Sequence, residues 1–491
     1  MNSAPPVPLP RDFSDWYSPM IVKELRHGLR TRFFSVALIQ FHVLLALLMS
    51  SALLGANEEV INGLFWFLAL AVVLGVMPLR GFAALNSEAT EGTLDMLTLT
   101  NMPALRVVYG KWAALFSQTL LVASSLLPYM VARYHFGGVE IVREIAALGI
   151  MVLGSALTTA ALVAFSSQKS VLLRLLLAAG VILAAVTLGV FVVGLATESM
   201  GDSMADEFAR VSGTEKLGLL AVILVIAGYG TYLLLTLGAS RFAPASENHS
   251  TVKRLVGLGV MGIMAAAGVG LALGHATWQT AFWAFFPAMI FTILLGMDVM
   301  TEAMPRFPTV VASFTRGGRW RRMAGCFLYP GWAAGVPYYL LLCLAPLSIM
   351  AAMLWRHFDE DSMLCTLCLL SANVVPVCVP YLREQRFTNW WLVHIVLITT
   401  GVLLTMLADA MDVKEVIGLG MITPGTSLFG EFADWSQHRA IFIGGAISGG
   451  LWTLAALFLA SKEMRVYREL ETEAQSCLQT QLPGHANDPA S

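Results

Sequence analysis

Long apolar runs recur along the chain and are separated by short polar segments. A helix that crosses a bilayer needs roughly 20 apolar residues, and this requirement predicts about twelve crossings in two groups of six. The predicted spans are 33–54, 63–79, 112–132, 145–165, 172–195, 217–237, 255–273, 278–300, 327–354, 363–381, 391–408 and 441–460.

The composition indicates the same class of protein. Of the 491 residues, 57% are hydrophobic and only 13% are charged, and the mean hydropathy is +0.72. Soluble domains have about a quarter charged residues. The net charge of −2 gives no indication of nucleic-acid binding. We therefore predict an all-α polytopic membrane protein in which the first span is a retained signal anchor, because no cleavage site follows it.

The predicted organisation has five parts. Residues 1–17 are expected to form a disordered cytoplasmic tail, because four prolines crowd its first ten positions. The other four parts are a six-span domain at 18–238, a cytoplasmic link at 239–254, a second six-span region at 255–460 and a cytoplasmic tail at 461–491.

Basic residues in short loops predict which side of the membrane each loop occupies. With the N-terminus inside, Arg133 and Arg143 are exceptions on the outside, although Glu140 and Glu144 flank Arg143. Because the span number is even, both termini are then expected in the cytoplasm. The basic residues predicted inside are Lys169, Arg174, Arg241, Lys253, Arg254, Arg306, Arg316, Arg319, Arg321, Arg322, Arg383, Arg386, Lys462, Arg465 and Arg468.

A helix is predicted to begin at Ser18–Pro19, because serine can cap a helix and proline suits its first position. An apolar stripe recurs every fourth residue, which favours a helix lying flat in the inner headgroup layer. The alternative is a plain positive flank of the first span. The stripe is formed by Ile21, Leu25, Leu29 and Phe33, and the polar positions include Lys23, Glu24 and Arg26.

One long polar stretch, Asn86 to Lys111, separates the second and third spans. We interpret residues 88–103 as a short cytoplasmic helix that contacts a soluble partner. Its acidic residues could pair with basic groups, its leucines could fill a groove, and its glycine would permit close backbone approach. The alternative is a solvated acidic helix start, which the helix dipole favours. The residues concerned are Glu88, Glu91, Gly92, Thr93, Leu94, Asp95, Leu97 and Pro103.

These residues, with Thr100 and Gly110–Lys111, resemble the E…E-G-T-L…L…T-x-x-P…G-K run of ABC-2 type transporter permeases. Residues 18–26 resemble the N-terminal helix of the same family. The resemblance extends over residues 18 to about 237. It implies a six-helix domain of the type V exporter kind, an amphipathic elbow helix, and a coupling helix that contacts a separate ABC ATPase subunit. The second half departs from this pattern.

The chain itself is not expected to hydrolyse ATP. A P-loop needs G-x-x-x-x-G-K-[ST], whereas Gly110–Lys111 is followed by Trp112 and lacks the upstream glycine. ATP would therefore be hydrolysed by a partner, and we predict no catalytic residue, cofactor or metal ion in this chain. The Cys365-x-x-Cys368 pair lies in an apolar segment, where packing is favoured over redox or metal chemistry.

Few ionisable residues are predicted within the spans. Gln40 and His42 lie near the centre of the first span, where an ionisable group is a functional hypothesis by default. A neutral histidine bonded to a neighbouring helix is the favoured interpretation. Asp298, His394 and Asp409 are placed near span ends, within reach of water. The absence of a chain of buried carboxylates argues against a proton-coupled carrier.

Together these features predict the membrane subunit of an ATP-driven exporter in a bacterial inner membrane. Two six-span units are needed, so either the second half supplies the other unit or two chains form a homodimer. A non-transporting membrane scaffold with the same fold and an ion-coupled secondary carrier are the alternatives.

Overall fold

Twelve of the described helices are long and apolar enough to cross a bilayer. The described part of the chain is helical and contains no strand, so the prediction of an all-α polytopic membrane protein with about twelve spans is confirmed. The computed structural model describes residues 19–55, 57–86, 103–136, 140–168, 170–196, 213–241, 243, 248–273, 278–305, 310–311, 314, 318–355, 360–379, 386–433 and 435–480.

The chain divides into two compact units. The first is Met1–Arg210 with Leu234–Ala243, and the second is Val211–Leu233 with Pro244–Ser491. Helix α8, Gly213–Ser240, is therefore shared between them. The other helices of the first unit are α1 (Pro19–Leu29), α2 (Arg32–Leu53), α3 (Glu58–Ala83), α4 (Ala104–Ser124), α5 (Leu127–Phe136), α6 (Ile141–Phe165) and α7 (Val171–Ala196).

The chain turns between α1 and α2. Helix α1 begins at Pro19 as predicted, but it ends at Leu29, and Thr31 then caps α2 by accepting a hydrogen bond from the Phe34 amide at 3.4 Å. Phe33 therefore belongs to the first span and is exposed there. The predicted stripe from Ile21 to Phe33 was too long by this residue.

Helix α3 changes its winding before it ends. Residues Ala71–Val76 form a π-helical stretch just before Pro78. Proline has no amide hydrogen and crowds the carbonyl four residues earlier, so a regular α-helix cannot continue through it unchanged. The Ser155 hydroxyl of α6 donates to the Val73 carbonyl at 2.7 Å. A 3₁₀ turn, Arg80–Ala83, then ends the helix next to the polar stretch.

The second unit contains six predicted spans, one shorter amphipathic helix and the initial part of α8. Its core packs apolar residues of α8, α9, α10, α12, α13 and α17 against one another. The helices are α9 (Ser250–Leu273), α10 (Trp278–Thr301), α11 (Gly318–Leu328), α12 (Trp332–Leu354), α13 (Glu360–Ala372), α14 (Val375–Cys378), α15 (Arg386–Met411) and α17 (Trp435–Thr480), with the single turn α16 (Pro424–Ser427) between the last two.

Between α15 and α17 the chain folds back into the second unit. This inserted segment, residues 414–432, consists of α16 and the 3₁₀ turns on either side of it. Thr426 and Ser427 are buried, and their hydroxyls donate to the Gly420 and Pro424 carbonyls, both at 2.8 Å. Irregular backbone at membrane depth is tolerated where it is buried in protein. The two hydrogen bonds supply partners for two of the backbone carbonyl groups of the inserted segment.

Two glycines of α17 make room for the inserted segment and for α13. A methyl group at Gly445 would collide with the Ser427 side chain, and one at Gly449 would collide with Ser371. Small residues permit such close approach between elements in lipid. The spacing Gly445-x-x-x-Gly449 places the two glycines on one face of α17, which is the face that meets these neighbours.

Substituting Gly445 by alanine should displace the inserted segment and lower the melting temperature. Overpacking of this kind costs about 1–3 kcal/mol. Gly450→Ala is the matched control on the same helix, since a methyl group there meets nothing within 4 Å, and alanine favours a helix over glycine by about 1 kcal/mol. Thermal unfolding of the purified full chain should therefore separate the two variants; equal melting temperatures would contradict the packing described here.

Candidate coupling platform and a buried charge cluster

Most of the predicted coupling interface lies outside the described residues. This applies to Glu88, Glu91, Gly92, Thr93, Leu94, Asp95 and Leu97, whereas Pro103 is described. The structure does describe the residues on both sides of this segment, up to Asn86 and from Pro103 onward.

On its N-terminal side, the segment is attached to buried structure. Leu85 is buried, and its amide donates to the Ser166 hydroxyl at 3.0 Å, which joins the end of α3 to the end of α6. One turn earlier, Arg80 donates to the Gln118 side chain of α4. The chain therefore leaves α3 from a position that two neighbouring helices hold.

On its C-terminal side, the segment leads directly into a buried helix. Pro103 precedes the first residue of α4 and has an extended backbone, with φ −63° and ψ 141°. Ala104, Val107 and Val108 are buried immediately after it. A displacement at Pro103 would therefore move α4 rather than be absorbed by a loose loop.

Helix α1 packs along the same part of α4, and these two helices with the end of α3 form what we call the platform. Met20 lies against Gly110, where a methyl group would approach the Met20 side chain to 2.9 Å. One turn further along α1, Glu24 Oε2 lies 3.7 Å from Lys111 Nζ. Gly28 faces Gln118, and its carbonyl lies 3.5 Å from Arg80 Nη2. The platform thus joins α1, the end of α3 and the start of α4.

The predicted elbow residues take different positions on α1. Pro19 begins the helix, Glu24 is partly buried against α4, and Lys23 and Arg26 are exposed. Gly110–Lys111 belongs to the run that resembles ABC-2 type permeases, but the sequence predicts no function for either residue. In the structure, both lie buried within α4, and Lys111 pairs with Glu24.

The predicted intramembrane polar pair does not form a shared site. Gln40 is exposed on α2, and His42 Nδ1 lies 2.8 Å from the Leu38 carbonyl of its own helix. The expected hydrogen bond from His42 to a neighbouring helix is therefore replaced by a bond within α2, while the imidazole ring lies 5.9 Å from the Tyr129 ring.

Exchanging the charges of Glu24 and Lys111 tests the platform. Glu24→Lys or Lys111→Glu alone places like charges together on a largely buried surface and should lower the melting temperature. The double variant Glu24→Lys/Lys111→Glu should recover part of that loss, because contacting residues are energetically coupled by about 0.5–3 kcal/mol. Thermal unfolding of all four proteins gives the coupling energy; strictly additive effects would show that the two helices are not joined by this pair.

A second charged site, which the sequence analysis missed, lies in the second unit. Lys253, Arg254, Asp298 and Glu302 form a buried charge cluster where α9 begins and α10 ends. Lys253 Nζ lies 2.5 Å from Asp298 Oδ2 and also contacts Glu302, and Arg254 Nη2 lies 2.8 Å from Glu302 Oε2. The two positive and two negative charges balance, as burial in a membrane protein requires.

Arg254 also organises the chain between α10 and α12. Its guanidinium donates to the Phe327 carbonyl at 2.8 Å and to the Gly331 carbonyl at 3.0 Å. The Gly331 amide donates to Glu302 at 3.3 Å. Gly331 has φ +122°, a conformation that glycine adopts without a steric penalty. The charge cluster therefore holds the end of α11 and the start of α12 as well as α9 and α10.

Glu302 lies just beyond the last residue of α10. Burial alone would raise its pKa, but the positive charges of Lys253 and Arg254 and hydrogen bonds from Lys253 and Ser250 outweigh that effect and hold the pKa well below its usual range. Because the folded-state pKa is lowered, the stability that this carboxylate contributes is present above the ordinary glutamate pKa and is lost as the pH falls through the lowered value.

Two sequence-based expectations are wrong at this cluster. The sequence predicts Asp298 within reach of water, but its side chain is 0% exposed. It also predicts Lys253 and Arg254 as loop charges, but they lie at the start of α9 and are buried. The sequence analysis missed the cluster because its partners are 45 to 49 residues apart in the chain, and no local periodicity links residues at that separation.

Ion pairs account for the two exceptions to the loop-charge pattern, and one of these pairs is buried. Arg133 at the end of α5 lies 2.5 Å from Glu144 in α6, and both are buried. Arg133 also donates to Asn62 at 2.6 Å and lies over the Phe65 ring. Arg143 pairs with Glu140 at 3.0 Å. Each of the two arginines therefore has an acidic partner.

Removing one charge from the cluster should be strongly destabilising. Glu302→Gln keeps the shape but leaves Lys253 and Arg254 with one carboxylate between them, and breaking a buried pair costs about 3–5 kcal/mol. The matched control is Glu360→Gln, which breaks the Glu360–Arg439 pair, where Glu360 is 79% exposed; exposed pairs contribute about 0–1 kcal/mol. The melting temperature should fall clearly in the first variant only, and a similar small effect in both would contradict the assigned role of the cluster.

The described residues contain no group of three histidine, cysteine or carboxylate side chains that could hold a metal ion. Comparison with family models, curated proteins and solved structures finds no match to this chain. The class of protein therefore rests on its own architecture, which over the described residues is that of an all-α integral membrane protein with twelve candidate spans.

Proposed function

We propose that the chain is the membrane subunit of an ATP-driven transporter, coupled to a separate ATPase through residues 88–103. The observation that carries this proposal is the anchoring of both sides of that segment. Leu85 on one side and Ala104 on the other are buried, and α1 packs against the helix that follows. A segment held in this way can transmit a displacement to the spans.

The sequence of the segment supplies the contact chemistry. Glu88, Glu91 and Asp95 could pair with basic residues of the ATPase, while Leu94 and Leu97 could enter a groove on its surface. These residues also carry the resemblance to ABC-2 type permeases. The loop-charge pattern supports a cytoplasmic position for the segment, where an ATPase would have access to ATP.

In the proposed mechanism, ATP-dependent closure of two ATPase subunits pushes on residues 88–103. The force passes through Pro103 into α4 and, through the Glu24–Lys111 pair, into α1. The six-span unit then tilts between inward-open and outward-open states. The apolar spans favour a hydrophobic or amphipathic cargo, and export is the proposed direction.

A complete transporter needs two such units. The second unit of this chain carries a basic stretch at 306–322 where the first carries the acidic segment. This difference favours pairing of two chains, in which each contributes one acidic coupling segment. A scaffold that binds an ATPase without moving a cargo would share the contact but not the transport.

Reversing the charges at Glu88 and Glu91 should abolish the ATP hydrolysis that the membrane subunit stimulates. The measurement is ATPase activity of the complex that co-purifies with the full chain, reconstituted in vesicles. Glu58→Lys/Glu59→Lys is the matched control, because these exposed acids lie at the opposite end of α3, and stimulation should persist in this variant.

Unchanged stimulation in the Glu88→Lys/Glu91→Lys variant would contradict the coupling assignment. Stimulated hydrolysis without movement of any cargo would favour the scaffold. An intact melting temperature and membrane insertion of each variant establish that the loss is not due to misfolding.

A further inference from the structure

We propose that helix α11 is a binding surface for anionic lipid headgroups. The helix runs from Gly318 to Leu328 and is followed after three residues by the span that begins at Trp332. Three residues reach at most about 10 Å, so α11 must lie close to the membrane surface. This inference does not depend on the coupling function proposed above.

One face of α11 packs on the protein. Gly325 is buried and lies against Tyr467 of α17, where any side chain would collide with the Tyr467 hydroxyl. The end of the helix is held as well, because its last two carbonyls accept hydrogen bonds, Phe327 from Arg254 at 2.8 Å and Leu328 from the Thr251 hydroxyl at 3.1 Å. These contacts determine which face of α11 points outward.

The outward face is apolar and exposed. Trp320, Met323 and Phe327 recur at i, i+3 and i+7, so they form one stripe along the helix. Trp320 is 82% exposed and Met323 55% exposed. Tryptophan is favoured at the boundary between acyl chains and headgroups, where its amphipathic ring meets both environments. The stripe therefore has the chemistry of a surface that dips into this boundary.

The residues beside the stripe select the charge of the lipid. Arg319 and Arg321 are exposed on either side of Trp320. They belong to the stretch 306–322, which contains five arginines and no acidic residue. A basic amphipathic helix of this kind binds anionic headgroups by burying its apolar face while its charges reach the phosphates. Charge complementarity thus favours a lipid phosphate over a neutral headgroup.

The test is a titration of the purified full chain with phosphatidylglycerol or phosphatidylcholine, followed by native mass spectrometry. Wild-type protein should bind phosphatidylglycerol more tightly than phosphatidylcholine. Arg319→Gln/Arg321→Gln should weaken phosphatidylglycerol binding about 30-fold, since each arginine near an anionic surface contributes about 1 kcal/mol. The charge-preserving variant Arg319→Lys/Arg321→Lys should retain most of it.

Arg439→Gln is the control, because it removes an exposed arginine near the opposite end of α17, and it should bind phosphatidylglycerol like wild type. Equal phosphatidylglycerol affinity in wild type and the Arg319→Gln/Arg321→Gln variant would overturn the proposal. So would equal binding of the two lipids by wild type, or full competition by millimolar inorganic phosphate, which would indicate a site for the free anion.

A second measurement locates the bound lipid. Hydrogen–deuterium exchange of residues 318–328 should be slower in nanodiscs that contain phosphatidylglycerol than in nanodiscs of phosphatidylcholine alone. Exchange that is unchanged by the lipid, or slowed only when a partner protein is added, would assign this face to a protein contact instead.

Discussion

The second unit depends on the pairing of charges that the bilayer cannot solvate. The side chains of Lys253, Arg254, Asp298 and Glu302 are buried together, and each contacts a partner of opposite sign from the other of the two chain segments that meet there. A lone charge in this environment costs several kcal/mol, so the helices are stable only in an arrangement that brings all four together. Arg254 also donates hydrogen bonds to carbonyls at the end of α11 and in the turn before α12. The cluster therefore connects all of these elements.

The platform of the first unit uses a different contact for a similar purpose. Helix α1 lies along α4 through close approach at Gly110 and the Glu24–Lys111 pair. This pair is looser and more exposed than the cluster of the second unit. The difference suits a region proposed to transmit movement, since a partly exposed ion pair costs less to separate than a fully buried one.

The helical architecture could be predicted from the sequence because apolar runs of span length leave few alternatives. The start of α1 at Pro19 could also be predicted, because it depends only on local sequence: proline suits the first helical turn. The pairing of Lys253 with Asp298 could not be predicted, because it depends on which helices are neighbours. The inserted segment at 414–432 could not be predicted, because its short Gly- and Pro-containing runs resemble an ordinary loop. Its packing becomes visible in the structure, where Ser427 lies against Gly445 of α17.

Site-specific photo-cross-linking from residue 94 in native membranes tests the coupling proposal most directly. A photoreactive amino acid at position 94 should cross-link to a polypeptide that mass spectrometry identifies as an ABC ATPase with a P-loop, whereas the same group at position 59 should not. Failure to capture an ATPase from position 94, in protein that is inserted and folded, would contradict the account.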